Sequence, residues 1–285
     1  MANTVTPTNG THERQERYAN AVVALMRPDL LIRNLFSKEY EGSPKAGAVK
    51  IPVRGDVSVV DYDVVSGASL ATSATTYFDL PINKNKVINE LIDGYEAEAV
   101  PDNLVAQRLE SGAYGLAAQL EADTIATLKT TNNFTASKSA GTASTGSTIY
   151  KNILDDIAQV KKLGVKSKDI KVAISYDTEV LLLTDNKYSD SCGQLGDKQK
   201  QEGIVGRING CDVVTEELGK LGSGSSATDV EYIVFAPAWC AAVDEFTINP
   251  RVVDIKDGAH VGASKLEGRM VYGTAVTNKK AVVVK

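Results

Sequence analysis

The sequence predicts an α+β fold, in which strands and helices come mostly from different stretches of the chain. Residues 48–93 contain runs in which apolar and polar side chains alternate, the period of a half-buried strand. Residues 102–129 repeat apolar side chains every three or four positions, the period of a helix. The remainder mixes short segments of both kinds, which completes the prediction of an α+β chain.

Composition places the chain among ordinary globular proteins. It has 285 residues, of which 43% are hydrophobic and 24% charged, and its net charge of −5 gives no overall basic field for nucleic acid. No apolar run approaches the roughly 20 residues that cross a bilayer. The N-terminus is polar and lacks the apolar core of a signal peptide. We therefore expect synthesis in a cytoplasm and no membrane partner.

The first fifty residues predict a tail followed by short helical segments. Residues 1–10 show no periodicity, Thr11 is a suitable cap for a helix to about Met26, and a short apolar segment covers 30–36. Residues 11–54 carry eight basic and five acidic side chains, a modest basic excess within an acidic chain.

The next two segments are the most strongly patterned. Residues 48–93 predict a long two-stranded arm with a tip of small residues at 66–74, and such a hairpin is marginal alone in water. It therefore needs something to lie on. Pro101 and Asp102 then start a helix to about residue 129, roughly 42 Å long at 1.5 Å per residue.

Shorter elements follow in an alternating order. The patterns predict a low-complexity loop at 130–147, helices at 148–163 and 177–184, a strand at 170–175, a polar loop at 185–203, a hairpin at 204–214 turned on Asn209-Gly210, a loop at 222–229, a strand at 231–236, a helical turn at 237–243, a strand at 246–255, and a closing hairpin of 269–276 with 281–284.

No residue pattern indicates an enzyme. The three cysteines, Cys192, Cys211 and Cys240, lie far apart and predict free thiols, and two histidines are too few for a convincing metal site or triad. Residues 222–227 only loosely echo a dinucleotide-binding loop, and Ser147 stands where a phosphate-binding loop needs lysine.

Two remaining features have ordinary structural interpretations. The carboxylate pairs Asp61/Asp63 and Asp155/Asp156 are more typical of solvated faces than of acid–base catalysis, and Trp239 is more typical of a core. We therefore predict no catalytic residue, no metal and no cofactor.

The order of the segments resembles the Hong Kong 97-type major capsid protein family of tailed double-stranded DNA bacteriophages. The resemblance is carried by residues 79–128, 153–183, 204–218, 231–254 and 268–285, and it covers about residues 10–285. It implies an N-arm at 1–44, an E-loop hairpin at 45–95, a P-domain with its spine helix at 96–145, an A-domain at 146–228, and returning P-domain strands at 229–285.

The resemblance also implies a function and partners. The chain would form hexamers and pentamers of an icosahedral head, located in the virion and assembled in the cytoplasm of a bacterial host. Its partners would be a separate scaffold protein, a portal protein and packaged double-stranded DNA. Contact with DNA would be directed at phosphates and independent of sequence. The residues we expect to face nucleic acid are Arg14, Arg17, Arg27 and Arg33.

Two departures from the family's type member refine these expectations. That protein links subunits through an E-loop lysine and a P-domain asparagine. Here residues 57–82 contain no lysine, and residues 254–264 contain no asparagine, so we expect non-covalent assembly. No long scaffolding segment precedes the arm, and the initial Met1 favours a separate scaffold over a processed chain.

Two other classes of protein remain as alternatives. An encapsulin-type nanocompartment shell shares the fold but encloses protein cargo. A soluble enzyme or adhesin of unrelated α+β fold would behave as a small stable monomer.

Overall fold

A computed structural model describes residues 31–38, 47–55, 57–69, 74–92, 103–130, 132–139, 145–193, 204–216, 230–256 and 262–285. The helices of this part of the chain are α1 (Ile32–Leu35), α2 (Asn103–Leu128), α3 (Gly146–Lys161), α4 (Tyr176–Leu183) and α5 (Asn186–Gly193). The strands are β1 (Ala48–Arg54), β2 (Thr75–Pro81), β3 (Lys84–Ile92), β4 (Thr135–Ala136), β5 (Lys171–Ile174), β6 (Ile204–Ile208), β7 (Cys211–Thr215), β8 (Tyr232–Phe235), β9 (Cys240–Asp254), β10 (Ser264–Val276) and β11 (Val282–Val284).

These strands form three sheets. β1 and β2 make an antiparallel hairpin in which Ala48 lies opposite Pro81 and Arg54 opposite Thr75. The second sheet is antiparallel, in the order β3-β10-β9. The third has six strands in the order β4-β11-β8-β5-β7-β6, with β4–β11 and β5–β7 parallel. The third sheet therefore draws its strands from widely separated parts of the sequence.

The long helix α2 packs on one face of the three-stranded sheet. Its Leu116 lies in a buried cluster with Met270 and Tyr272 of β10. A Cβ on Gly112 would lie 3.1 Å from Leu266 Cδ2 and 3.2 Å from Ile88 Cδ1. The absence of a side chain at this position lets the helix backbone approach the sheet closely.

The six-stranded sheet is covered by helices on both faces. Ile149, Ile153 and Ile157 of α3 are at most 1% exposed and belong to the core on one face. The core on the other face contains Ile32 of α1 and Leu128 at the end of α2. A sheet buried on both faces explains why its central strands are almost continuously apolar.

Several elements lie where the sequence predicts them. Helices α2, α3 and α4 and strand β5 begin and end within two residues of their predicted bounds. The hairpin of β6 and β7 turns on Asn209 and Gly210, whose φ angles of 52° and 78° are both positive, as a type I′ turn requires. The predicted helix at 11–26 and loop at 222–229 lie outside the described residues.

Two predicted loops contain regular structure. The predicted polar loop at 185–203 begins with helix α5, which is anchored by fully buried Tyr188. A Cβ on Gly206 would lie 2.7 Å from the ring of Tyr188, so the aromatic side chain packs directly on β6. The low-complexity stretch at 130–147 contains β4, which pairs with β11. In both segments, packing or pairing with another part of the chain stabilises regular structure that the polar composition does not predict.

Two strand predictions and one helical-turn prediction are wrong in their partners or extent. The predicted closing hairpin does not form, because β10 lies in the three-stranded sheet and β11 in the six-stranded one. β3 belongs to the three-stranded sheet, so the two-stranded arm ends at Pro81. The predicted helical turn at 237–243 is a short 3-10 turn, Pro237–Trp239, followed by β9. β8 and β11, which lie within the segment 229–285, join strands from 171–215 in the six-stranded sheet.

Candidate assembly surfaces

The tip of the β1–β2 hairpin exposes a run of apolar side chains. Val59 and Val65 are each 97% exposed, and Val57, Tyr62 and Val64 are also largely exposed. Clustered exposed apolar side chains of this kind mark interaction sites in soluble proteins. The tip is therefore the first candidate surface for contact with another molecule.

A local turn gives part of this tip a defined shape. The Asp63 carboxylate accepts hydrogen bonds from the Val65 and Ser66 amides at 2.8 and 2.7 Å and from the Ser66 hydroxyl at 3.0 Å. Gly67 has a positive φ of 75° and pairs with Asp63 through the backbone. Hydrogen bonds from Ser66 and Val65 hold the pKa of Asp63 below its ordinary value. The turn presents Val64 and Val65 to solvent.

The base of the hairpin, unlike its tip, is packed into the body of the chain. Leu80 is fully buried, and Ile51 and Ile82 are nearly so, in a cluster with Ala241 and Val243 of β9. The hairpin also contacts β10 closely: a Cβ on Gly273 would lie 2.2 Å from the Pro81 carbonyl oxygen. The hairpin is thus fixed at one end and exposed at the other.

A second apolar surface lies on the three-stranded sheet. A depression of about 760 Å³ is lined in part by Leu91 of β3, Val253 of β9 and Ile255. Lys265 and Arg251 both form ion pairs with Glu267 on the same sheet, with N–O distances of 2.7 and 2.8 Å. This surface combines an apolar floor with paired charges and is a second candidate for contact with another molecule.

Arg33 is not exposed, as a contact with a nucleic-acid phosphate would require. It is 4% exposed, and its guanidinium donates to Thr274 Oγ1 at 2.9 Å, the Val243 carbonyl at 3.2 Å and Asp244 Oδ1 at 3.0 Å. Burial lowers the pKa of Arg33, and the Asp244 carboxylate opposes that shift. These contacts give Arg33 a structural role in place of the expected one at nucleic acid.

The other three arginines expected at nucleic acid, Arg14, Arg17 and Arg27, lie outside the described residues. Sequence reasoning also missed two acids of α2. Glu121 accepts a hydrogen bond from the Arg33 amide, and Asp123 accepts one from the Tyr272 hydroxyl and pairs with Lys84 at 3.9 Å. Their only signal in the sequence is two acids separated by a single alanine within an otherwise mostly small and apolar stretch.

The carboxylates singled out in the sequence have structural partners. Asp156 is fully buried and accepts a hydrogen bond of 2.8 Å from the Tyr232 hydroxyl, whereas Asp155 is exposed. Asp63 shapes the hairpin turn, and Asp61 is exposed. Trp239 is partly buried against the six-stranded sheet's core. Neither carboxylate pair is therefore arranged as a catalytic acid and base.

Other features of the described residues bear on chemistry and location. Cys211 and Cys240 are buried free thiols, and burial raises the pKa of both. Within the described ranges, no group of three or more His, Cys, Asp or Glu side chains could hold a metal ion. In the same part of the chain, no helix has the length and apolar character needed to cross a membrane.

The fold is similar to chains in solved phage structures. A chain from Mycobacterium phage Che8 is 20% identical with a TM-score of 0.67, covering 94% of this chain and 95% of that one. A chain in the capsid structure of cyanophage P-SCSP1u is 16% identical with a TM-score of 0.68, covering 94% and 91%. One in the asymmetric unit of the mature capsid of bacteriophage PhiM1 is 13% identical with a TM-score of 0.67, covering 95% and 91%.

These similarities concern structure and not sequence. No protein-family model matches the sequence, and no curated protein matches it. At such low identities a shared fold is what the similarity shows. The predicted α+β fold, of the kind found in phage capsids, is confirmed.

Proposed function

We propose that the chain is the major capsid protein of a tailed double-stranded DNA bacteriophage, a structural subunit and not an enzyme. The observation that carries the proposal is the exposed apolar tip of a hairpin whose base is packed into a fold shared with phage capsid chains. In the part of the chain that the structure describes, the apolar side chains of the tip are left exposed to solvent, and a neighbouring subunit would cover them.

A contact between the hairpin tip of one subunit and the surface of a neighbouring subunit fits the geometry of a shell. A projecting tip on one subunit and a recessed surface on the next make a heterologous contact, which generates rings when the rotation closes. Hexamers and pentamers built from this one chain would use the same contact with slightly different geometry between subunits. A nanocompartment shell would use the same physics, but the phage capsids among the structural neighbours favour the phage assignment.

The remaining partners follow from this assignment. A separate scaffold protein, a portal protein and packaged DNA would complete the head in the host cytoplasm, and the chain would end in the virion capsid. Arg14, Arg17 and Arg27 remain our candidates for contact with DNA phosphates, and the burial of Arg33 removes it from that set.

We also propose that the shell is held without covalent links between subunits. The absence of lysine from residues 57–82 and of asparagine from 254–264 removes both partners of an isopeptide bond at those places. Assembled particles dissolved in denaturant should therefore run as a single band at the monomer mass. A ladder of covalent multimers on a denaturing gel would contradict this.

The proposal is tested by imaging and sizing the expressed protein. We expect rings or closed shells in electron micrographs, and sedimentation coefficients that rise with protein concentration. Particles recovered from infected cells should hold nuclease-protected DNA, whereas a nanocompartment would hold protein. A small monomer at every concentration, both alone and with the proteins of the producing phage, would count decisively against a shell subunit.

A further inference from the structure

A short segment, residues 31–37, is seated between the two larger sheets and is here called the arm root. Its side chains Ile32 and Phe36 are 0% and 3% exposed, and the Phe36 ring lies 6.0 Å from that of Phe235. Its backbone pairs with β9 only at Ser37, which donates to the Cys240 carbonyl at 3.0 Å and accepts from the Ala242 amide at 3.1 Å. It is therefore not part of an extended ladder.

A buried carboxylate holds the start of this segment. Glu121 is 1% exposed, and its two oxygens accept from the Ile32 amide at 2.6 Å and the Arg33 amide at 2.9 Å. Glu216, also buried, accepts from the Leu31 amide at 3.4 Å. The first amides of a helix have no partner within the helix, and Leu31 makes no side-chain cap, so these carboxylates take that role.

The arm root is bound to the three-stranded sheet as well as to Glu121. The Arg33 side chain reaches β9 and β10 through Val243, Asp244 and Thr274, while its amide is bound by Glu121 of α2. One residue thus ties the segment to both the helix and the three-stranded sheet. Lys38, just beyond, lies 3.8 Å from the same Asp244 carboxylate.

Burial of Glu121 has a cost that an apolar side chain would avoid. Desolvation raises the pKa of Glu121 more than the amide hydrogen bonds and the Arg33 charge lower it. A buried charge is weak evidence that a contact stabilises the fold. It does require a specific partner, because a buried charge left without one is costly. The partner here is the backbone of the arm root, since both carboxylate oxygens are directed at its amides.

We propose that Glu121 is an anchor that determines whether the arm root is seated, and that the arm root detaches as a unit while both sheets and α2 stay folded. When seated, it fixes the position of Leu31, the residue at the start of the segment. The anchor acts within a single chain, so its effect can be measured without assembly of a shell.

The test uses Glu121→Gln in the full unassembled chain. Glutamine offers one acceptor and one NH2 group, so one of the two amides loses its partner inside the protein. We expect hydrogen exchange across residues 31–37 to rise by roughly tenfold or more, which corresponds to about 1.4 kcal/mol. We also expect trypsin to cut after Arg33, a bond that the seated segment protects in the unmodified chain. Exchange in β5 and β8 should stay unchanged.

Two further variants make the result decisive. Glu110→Gln places the same change at an exposed position of α2 and should leave the arm root protected. Asp244→Asn weakens the opposite tie and should also release the arm root selectively, which gives a second test if Glu121→Gln does not fold. Unchanged protection at 31–37 in folded Glu121→Gln would overturn the anchor. Loss of protection in β5 and β8 together with 31–37, in both Glu121→Gln and Asp244→Asn, would overturn the claim that the segment detaches alone.

Discussion

The arm root and the hairpin tip are both short segments with several apolar side chains, but the arm root is buried and the tip is exposed. In the arm root, Ile32 and Phe36 are buried and the amides are held by carboxylates of the body. In the tip, Val59 and Val65 are almost fully exposed, and the described hydrogen bonds of the turn are local ones to Asp63. The arm root therefore has its partner inside the chain, whereas the function proposed above assigns the tip a partner in a neighbouring subunit.

The largest expected effect comes from placing charge on the tip. The double substitution of Val64→Asp and Val65→Asp should abolish assembly, because a neighbour would have to bury two carboxylates without partners. The free energy of unfolding of the unassembled chain should change by less than about 0.5 kcal/mol, since both positions are exposed.

Sedimentation velocity and electron microscopy measure the first effect, and denaturant unfolding the second. Ser58→Asp, which adds charge at an exposed polar position of the same loop, is the matched control and should still assemble. Normal particles from the double variant would show that the tip is not an assembly surface.

A smaller effect is expected for a substitution at the base of the hairpin, and it concerns the free energy of unfolding. Leu80→Ala removes a fully buried side chain and should lower the free energy of unfolding by about 2–5 kcal/mol. Val65→Ala, at the exposed end of the same hairpin, should change it by less than about 0.5 kcal/mol. Urea unfolding of both variants makes the comparison. Equal losses at the two sites would mean that the tip is already packed within its own chain.

The smallest effect concerns the shape of the tip at low pH. A depressed carboxyl pKa means that the stabilisation from ionised Asp63 is present at neutral pH, above the pKa of the free side chain. It is lost as the pH falls through the lowered pKa. The amide NMR signals of Val65 and Ser66 should follow that titration, whereas those of Asp63→Asn should not. Signals in the unmodified chain that stay constant down to full protonation would exclude the carboxylate as the cause of the turn.

Sequence reasoning succeeded where the signal is local. The α2 helix follows from one periodic run, and the β6–β7 hairpin from the positive φ angles that Asn209 and Gly210 adopt readily. Strand β2 of the arm follows from period-two alternation at 78–83. In each of these the residues that form the element also carry the pattern that predicts it.

Sequence reasoning failed where a contact joins residues that are distant in the sequence. Nothing near Tyr188 indicates that its ring packs on Gly206, and nothing in 282–284 indicates pairing with both β4 and β8. Arg33 shows the same limit at a predicted site: basic residues near a terminus suggest a nucleic-acid contact, but its Asp244 partner lies 211 positions away. Burial of a charge is decided by the tertiary structure, which composition does not encode.

The position of β11 has a consequence for how the chain is made. Val282–Val284 lies between β8 and β4, so it closes the six-stranded sheet from the far end of the sequence. A chain cut before Val282 would leave the apolar strand Tyr232–Phe235 with an open edge, a template for pairing with other chains. Premature termination or proteolytic trimming before Val282 would therefore yield fragments prone to aggregate through the open edge of β8.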